Sequence, residues 1–128
     1  MNVLLDTHAF LWALLEPAKL STKTRQLLED ETTNVVVSAA SAWEIATKIR
    51  LGKLSGAKRV VADYDWALQG LQATQVAMTS EHALKAGSWA VIHRDPFDRM
   101  LAAQSALEKL ALISCDPAMN QFGIEVIW

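Results

Sequence analysis

The chain has 128 residues, the length of one domain, and its 52% of hydrophobic residues is enough to build a core, which excludes a disordered protein. The longest apolar run, residues 9–15, is much shorter than the about 20 residues that cross a membrane, so no membrane partner is expected. The net charge of −2 excludes a protein that holds nucleic acid by bulk positive charge. With no signal-peptide pattern and a single cysteine, Cys115, we expect a cytoplasmic location.

Short branched apolar runs alternate with helical patterns along the whole chain. Strands are predicted at residues 3–5, 35–37, 75–78, 112–114 and 124–127, and helices at about 8–15, 22–31, 41–51, 60–71, 81–89 and 96–110. Strands separated by helices are typical of parallel βαβ units. The sequence therefore predicts an α/β fold in which helices cover both faces of a parallel sheet, in a single domain over residues 1–128.

Local signals mark several helix starts. Ser41 and Glu44 fit a capping box at the start of helix 41–51. Asp95 and Asp116 each precede a proline, which is typical of an N-cap followed by proline at the first helical position. Helix 8–15 is apolar nearly all round, so we expect it to be buried in the core or covered by another chain.

Four acidic residues fall where a parallel sheet would bring them together. Asp6 ends the first strand, Glu44 and Asp98 lie in the first turns of predicted helices, and Asp116 closely follows the fourth strand. Because the carboxyl ends of parallel strands and the amino ends of the following helices share one edge, we expect these side chains to meet in one crevice.

Each acid also has an ordinary explanation. Glu44 could complete its capping box or pair with Lys48, and Asp98 could pair with Arg94 or Arg99. The remaining aspartates could be helix caps only. Several uncompensated carboxylates in one crevice would repel one another, however, and a divalent cation would remove that repulsion.

The kinds of residue in the crevice indicate which cation would fit. Oxygen ligands without histidine or cysteine favour Mg²⁺ or Mn²⁺ over zinc. Thr7, Ser38 and Ser114 lie on the same edge and could hold the carboxylates or water around the ion, with Asp95 as a near neighbour. A cation held by acids with open positions suits phosphate chemistry.

The residues in these segments resemble those of a PIN-domain ribonuclease, specifically a VapC-like toxin of a bacterial or archaeal toxin–antitoxin pair. The matching segments are Leu-Leu-Asp-Thr-His at 4–8, Val-Ser at 37–38 with Ser-Ala-Trp-Glu-Ile at 41–45, His-Arg-Asp-Pro-Phe-Asp-Arg-Met-Leu-Ala-Ala-Gln at 93–104, and Ile-Ser-Cys-Asp at 113–116. The third segment is the most specific, and the resemblance extends over about residues 2–127.

This resemblance implies a fold, an activity and partners. The fold is a three-layer α/β/α sandwich with a five-stranded parallel sheet in the order 3-2-1-4-5. The activity is Mg²⁺- or Mn²⁺-dependent cleavage of RNA at an acidic site formed by Asp6, Glu44, Asp98 and Asp116. The partners are a small VapB-like antitoxin that blocks the site and, commonly, a second copy of the toxin in a homodimer.

An acidic protein that cleaves RNA must hold it with a local basic patch. Lys48, Arg50 and Lys53 follow Glu44 along one helix and its end, so we expect them to contact the phosphates of a bound strand. Arg94 and Arg99 flank Asp98 and are expected to contact RNA as well.

Two other classes of protein remain open. A non-catalytic binding module on the same fold would show no metal-dependent cleavage. A receiver-like phospho-acceptor domain would need an acidic pair after the first strand and a lysine after the fifth, whereas the first strand here carries only Asp6.

Overall fold

A computed structural model describes all 128 residues and contains one five-stranded parallel sheet. Its strands are β1 (Asn2–Leu5), β2 (Asn34–Ser38), β3 (Thr74–Val76), β4 (Ala111–Ile113) and β5 (Val126–Ile127). Their order is β3-β2-β1-β4-β5, with every neighbouring pair parallel. The expected order is confirmed. It also excludes the receiver-like alternative, because doubly wound domains of that kind have the order 2-1-3-4-5.

Seven α-helices connect the strands. They are α1 (Thr7–Leu15), α2 (Thr22–Glu29), α3 (Ala39–Arg50), α4 (Lys58–Ala62), α5 (Tyr64–Gly70), α6 (Ser80–Ser88) and α7 (Pro96–Glu108), with short 3-10 turns at Pro17–Lys19, Ser55–Ala57 and Pro117–Phe122. None of these helices is long and apolar enough to cross a membrane.

The alternation of side chains along the strands creates two apolar layers, one on each face of the sheet. On one face, Val3 and Leu5 of β1 pack with Phe10 of α1 and Ile45 of α3 in a cluster of 14 buried residues. On the other face, Leu4 packs in a smaller cluster with α7 and the 3-10 turn that follows β4. The central strand is therefore buried on both sides, which confirms the three-layer prediction.

The capping box predicted at Ser41 and Glu44 is wrong. Helix α3 begins earlier, because the hydroxyl of Ser38 accepts a hydrogen bond from the backbone N–H of Ala40 at 3.0 Å and caps the helix. Ser41 lies inside the helix, where its hydroxyl is 3.0 Å from that of Thr7 on α1. Glu44 consequently lies in the second turn of α3, deeper in the protein than predicted.

The helix predicted at 60–71 is also divided in two. Asp63 leaves the helical conformation, with φ of −143° and ψ of 79°, and its side chain accepts a hydrogen bond from Trp66 N at 3.1 Å. Asp63 thus ends α4 and caps α5. Aspartate competes with the helical backbone for hydrogen bonds in this way at helix starts.

The apolar helix α1 is covered only in part by its own chain. Phe10 and Leu11 are buried in the core, whereas Leu15 is 38% exposed. Trp12 is half-buried between the rings of His8 and Trp128, whose centroids lie 5.6 and 5.8 Å away. The core therefore buries one side of this helix. Coverage of the other side by a second chain stays a prediction.

Candidate active site

Asp6 follows the central strand β1 directly and caps α1. Its carboxylate accepts a hydrogen bond from the backbone N–H of Ala9 at 2.8 Å, so the cap interaction expected of this residue is present. Because β1 lies in the middle of the sheet, the Asp6 side chain stands at the centre of the carboxyl edge and is only 8% exposed.

Glu44 lies on α3, the helix that follows β2 at the same edge of the sheet. It is buried, and its carboxylate forms an ion pair with Lys48 one turn along the helix, as the spacing predicts. Lys48 is partly buried by this contact. The pairing supplies a positive partner for a carboxylate that burial would otherwise leave uncompensated.

Asp98 lies in the first turn of α7 and pairs with a histidine. Its Oδ2 atom is 2.9 Å from Nε2 of His93, and neither Arg94 nor Arg99 forms an ion pair with it, so the arginine pairing predicted from the sequence is wrong. His93 was not among the partners predicted for Asp98. The signal that could have found it was its place in the specific segment 93–104, five residues before Asp98.

Arg99 points away from Asp98 into the connection between α6 and α7. Its guanidinium donates to the backbone carbonyls of Ala86, Val91 and His93 at 2.7, 2.8 and 2.8 Å, and to that of Trp89. These hydrogen bonds occupy most of its five donors. Arg99 therefore has a structural role in place of the RNA contact predicted from its position beside Asp98, while Arg94 remains exposed.

The other two aspartates act as helix caps. Asp95 accepts hydrogen bonds from the backbone N–H groups of Phe97 and Asp98 at 2.9 and 3.0 Å, so it fixes the turn that carries Asp98. Asp116 accepts from Ala118 N at 2.9 Å and is exposed at the start of the 3-10 turn after β4. Both N-caps predicted from the Asp-Pro pattern are confirmed, and Asp116 is the most solvent-accessible of the four acids.

Three buried hydroxyls lie at the same edge of the sheet as the acids. Ser38 caps α3, Thr7 contacts a serine of α3, and Ser114 accepts a hydrogen bond from Asp116 N at 3.1 Å. The Ser114 hydroxyl also hydrogen-bonds Asp6, which lowers the pKa of that carboxyl. These hydrogen bonds fix the backbone next to the acids, and a role of the three hydroxyls around a metal ion stays a prediction.

The electrostatics of the crevice disfavour full ionisation. Burial raises the pKa of Asp6, opposed by its hydrogen bonds to Ser114 and Ala9. Burial likewise raises the pKa of Asp98, opposed by its hydrogen bond to His93. The negative charge of Glu44 raises the pKa of both aspartates, so the three carboxylates lie in one electrostatic neighbourhood.

The donor set fits a hard cation in its chemistry. Asp6, Glu44 and Asp98 offer only oxygen atoms, and burial, together with the charge of Glu44, raises the pKa of both aspartates, a penalty on their charged forms that a bound cation would offset. The side chains as they stand do not form a ready-made cluster of three metal ligands. Instead, Lys48 and His93 hold two of the three carboxylates.

A cleft of about 640 Å³ lies away from these acids. Its lining includes Arg25, Asn34, Gly70 and Thr74, and it contains none of the four acidic residues predicted to form the site. The predicted chemistry therefore does not belong to this cleft.

Comparison with solved structures finds similar folds. The fold is similar to a chain of the crystal structure of VapBC2 from Rickettsia felis bound to a DNA fragment from its promoter, with a TM-score of 0.73 and 12% identity over 99% of this chain and 98% of that one. It is also similar to a chain of FitAcB from Neisseria gonorrhoeae, with a TM-score of 0.62 and 18% identity over 100% of this chain and 97% of that one. A third similar structure is FitAB bound to an IR36 DNA fragment, with a TM-score of 0.58 and 16% identity over 99% of this chain and 94% of that one.

Sequence comparison gives the family. No curated protein matches the chain significantly. The model of the PIN domain, however, matches residues 3–125, which is nearly the whole sequence. The chain therefore belongs to the PIN domain family.

Proposed function

We propose that this chain is a metal-dependent endoribonuclease and the toxin of a toxin–antitoxin pair, a single nuclease domain over residues 1–128 that acts in the cytoplasm. The observation that supports the proposal is electrostatic: the charge of the buried Glu44 raises the pKa of both Asp6 and Asp98, so acids from three separate elements act on one another at the carboxyl edge of the sheet. Proteins of the PIN domain family are generally nucleases, and this crevice is where such chemistry fits.

In this proposal Asp6, Glu44 and Asp98 hold Mg²⁺ or Mn²⁺, and Asp116 completes the site. The bound cation supplies the positive charge that stabilises the transition state of phosphodiester hydrolysis and lowers the pKa of water. The chain itself orients the carboxylates: Ala9 N–H holds Asp6, and His93 holds Asp98.

The partner side of the proposal is supported by the solved structures to which the fold is similar. The VapBC2, FitAcB and FitAB structures are named as assemblies, and the sequence resembles the VapC-like member of such a pair. A VapB-like antitoxin that covers the crevice would block access of RNA to the acids. The exposed side of α1, with Leu15 and the half-buried Trp12, offers apolar surface to the antitoxin or to a second copy in a homodimer.

The non-catalytic binding module stays as the second candidate. The observation that favours it is that Lys48 and His93 already pair with Glu44 and Asp98, and a permanently paired site would hold no metal. The two functions differ in whether purified protein cleaves RNA when a divalent cation is added.

The deciding experiment measures cleavage of a 5′-labelled single-stranded RNA by purified protein with Mg²⁺, with Mn²⁺ and with excess EDTA. We expect cleavage with either metal and none with EDTA. The variant Asp98→Asn should lose nearly all activity, whereas Asp65→Asn, the same change at an exposed position of α5, should keep it. Undiminished cleavage by Asp98→Asn would exclude this site, and an inactive wild type that still binds RNA would favour the binding module.

A further inference from the structure

Trp43 is a large aromatic side chain that the fold leaves in solvent beside the acids. It lies on α3 immediately before Glu44, and it is 57% exposed whereas Glu44 is buried. Most indoles of this size bury much of their surface, because aromatic burial contributes strongly to folding. An exposed tryptophan at the rim of a candidate active site therefore suggests a ligand.

A second aromatic ring holds the indole in place. Phe97, which immediately precedes Asp98 on α7, packs against Trp43 with ring centroids 4.8 Å apart and an interplanar angle of 77°. Each ring thus adjoins a carboxylate of the crevice in sequence, and together they bridge the two helices that carry those acids. Edge-to-face packing of this kind fixes the orientation of a ring while leaving the rest of it accessible.

The exposed face of α3 that carries Trp43 also carries a basic side chain, that of Arg50. Trp43, Ala46 and Arg50 are all exposed, and their spacing of three and seven residues places them on one face of the helix. At 1.5 Å per residue, Arg50 lies about 10 Å along the axis from Trp43. The face carries no acidic residue, and its exposed large apolar side chains are Trp43 and, at the helix end, Leu51, which together are less apolar surface than a stable protein interface needs.

We propose that Trp43 stacks on an unpaired base of the RNA substrate while Arg50 binds a phosphate of the same strand. The proposal rests on the proposed ribonuclease function and adds a determinant of substrate class to it. Bases stack on exposed aromatic rings in single-stranded recognition, and neighbouring basic side chains follow the backbone. A base in a duplex has its faces covered by its neighbours, so this contact selects single-stranded RNA over duplex.

The stacking contact also compensates for the electrostatic repulsion between this acidic protein and the phosphates of RNA. The crevice and the net charge of −2 repel phosphates, so binding by charge alone is weak. Contact between a base and an indole is apolar and is not screened by salt. Trp43 therefore contributes RNA affinity next to the acids. A basic side chain at the same position would compete with the metal ion for the carboxylates.

The test measures binding separately from cleavage. In an Asp6→Asn background with EDTA, fluorescence anisotropy gives the Kd of a labelled single-stranded RNA of 12 nucleotides and of a duplex of equal length, at several salt concentrations. Trp43→Ala should weaken binding of the single strand about 5- to 100-fold, leave duplex binding unchanged and leave the salt dependence unchanged. Trp43→Phe should keep most of the affinity, since it retains an aromatic face. Leu84→Ala, a change at an α6 residue that is 73% exposed, is the matched control and should have no effect.

Several results would overturn the proposal. They are unchanged affinity for the single strand in Trp43→Ala, an equal loss for the duplex, or a wild type that binds neither RNA. Unchanged RNA affinity together with a dimer that becomes monomeric in light scattering would instead assign the ring to a protein interface. If the wild type cleaves RNA but Trp43→Ala binds normally, only the stacking proposal fails. If Trp43→Ala loses single-strand binding but the wild type never cleaves, only the nuclease proposal fails.

Discussion

The imidazole of His93 connects a carboxylate of the crevice to the apolar layer beneath it. Its Nε2 atom is 2.9 Å from Oδ2 of Asp98, and its ring packs edge-to-face on Phe122 with centroids 5.9 Å apart. Because Phe122 is buried, the histidine has a fixed position from which to orient Asp98. A residue that orients a metal-binding carboxylate changes metal affinity without touching the ion.

We therefore expect His93→Ala to raise the Mg²⁺ concentration needed for half-maximal cleavage by about 10- to 100-fold, as is typical for partners of metal ligands. The cleavage rate should recover largely at saturating Mg²⁺, because Asp98 itself is intact. Asp65→Asn is the control, since Asp65 is exposed on α5 and forms no hydrogen bond with the site carboxylates. A Mg²⁺ requirement in His93→Ala equal to that of the wild type would show that the His93–Asp98 contact has no role in metal binding.

A second prediction concerns the stability of the metal-free protein against pH. Burial raises the pKa of Asp6 above its ordinary value of 3.8, so the folded state binds more protons than the unfolded state once the pH exceeds that value. Below about pH 3.8 Asp6 makes its full contribution to the free energy of unfolding. That contribution is lost as the pH rises through the pKa that Asp6 has in the folded protein. Asp6→Asn removes the charge but keeps an N-cap for α1, since asparagine caps as well as aspartate does.

In EDTA, Asp6→Asn should therefore have a higher Tm than the wild type at pH 7, on the order of a few degrees. The difference should shrink towards pH 4, where the wild-type carboxyl is increasingly protonated. Added Mg²⁺ should raise the Tm of the wild type at pH 7 and have less effect on the variant. A lower Tm for the variant at pH 7 would mean that the Asp6 charge is already compensated in the free protein.

The Arg99 guanidinium gives a third prediction. Its four hydrogen bonds close the connection between α6 and α7, and that connection carries His93. Arg99→Lys keeps the charge but loses the planar set of donors, so it should destabilise the fold by about 2–3 kcal/mol in urea unfolding. Arg94→Lys, at an exposed neighbour of the same segment, should stay within about 0.5 kcal/mol of the wild type. Equal stability of the two variants would refute the structural role of Arg99.

The sequence predicts the elements of this fold better than their ends. Alternating strands and helices locate the carboxyl edge, because topology alone brings Asp6, Glu44 and Asp98 to it. The start of α3 was misplaced because two serines compete as cap: Ser41 has a glutamate three residues later, but Ser38 stands directly at the end of β2 and captures Ala40 N. A local pattern does not report where the preceding strand ends.

The partners of the acids were predictable only within one helix. Lys48 pairs with Glu44 because a spacing of four residues fixes their proximity. The pairing of Asp98 depends on the path of the loop before α7, and that path is set by the backbone carbonyls that Arg99 binds. Sequence spacing carries no information on such a loop, so His93 was overlooked and Arg99 was given a role in RNA binding.

The last prediction concerns the basic residues after Glu44. The structure gives Lys48 a different role from that of Arg50 and Lys53. Lys48 is bound to Glu44, so reversing its charge would disturb the acidic site and confound any effect on RNA. Arg50 and Lys53 are exposed and form no ion pair, so they can be tested alone. The double variant Arg50→Glu/Lys53→Glu should weaken single-stranded RNA binding and reduce the slope of log Kd against log salt by about 1.4, since each phosphate contact contributes about 0.7.

The control for that variant is the same change in charge on another helix, Lys23→Glu/Arg25→Glu on α2, where both residues are exposed. If the cluster after Glu44 contacts the RNA backbone, the control should shift affinity slightly through net charge and leave the slope nearly unchanged, because Lys23 and Arg25 would contact no phosphate. The two variants carry the same net charge, so a difference in slope between them reports local contacts. The Mg²⁺ requirement for cleavage should be unaffected in both, since none of these side chains touches the site carboxylates. An equal reduction of slope in the two variants would mean that RNA responds only to the overall charge of the protein. In that case Arg50 and Lys53 would be solvated surface residues, and Trp43 would have to hold the strand without them.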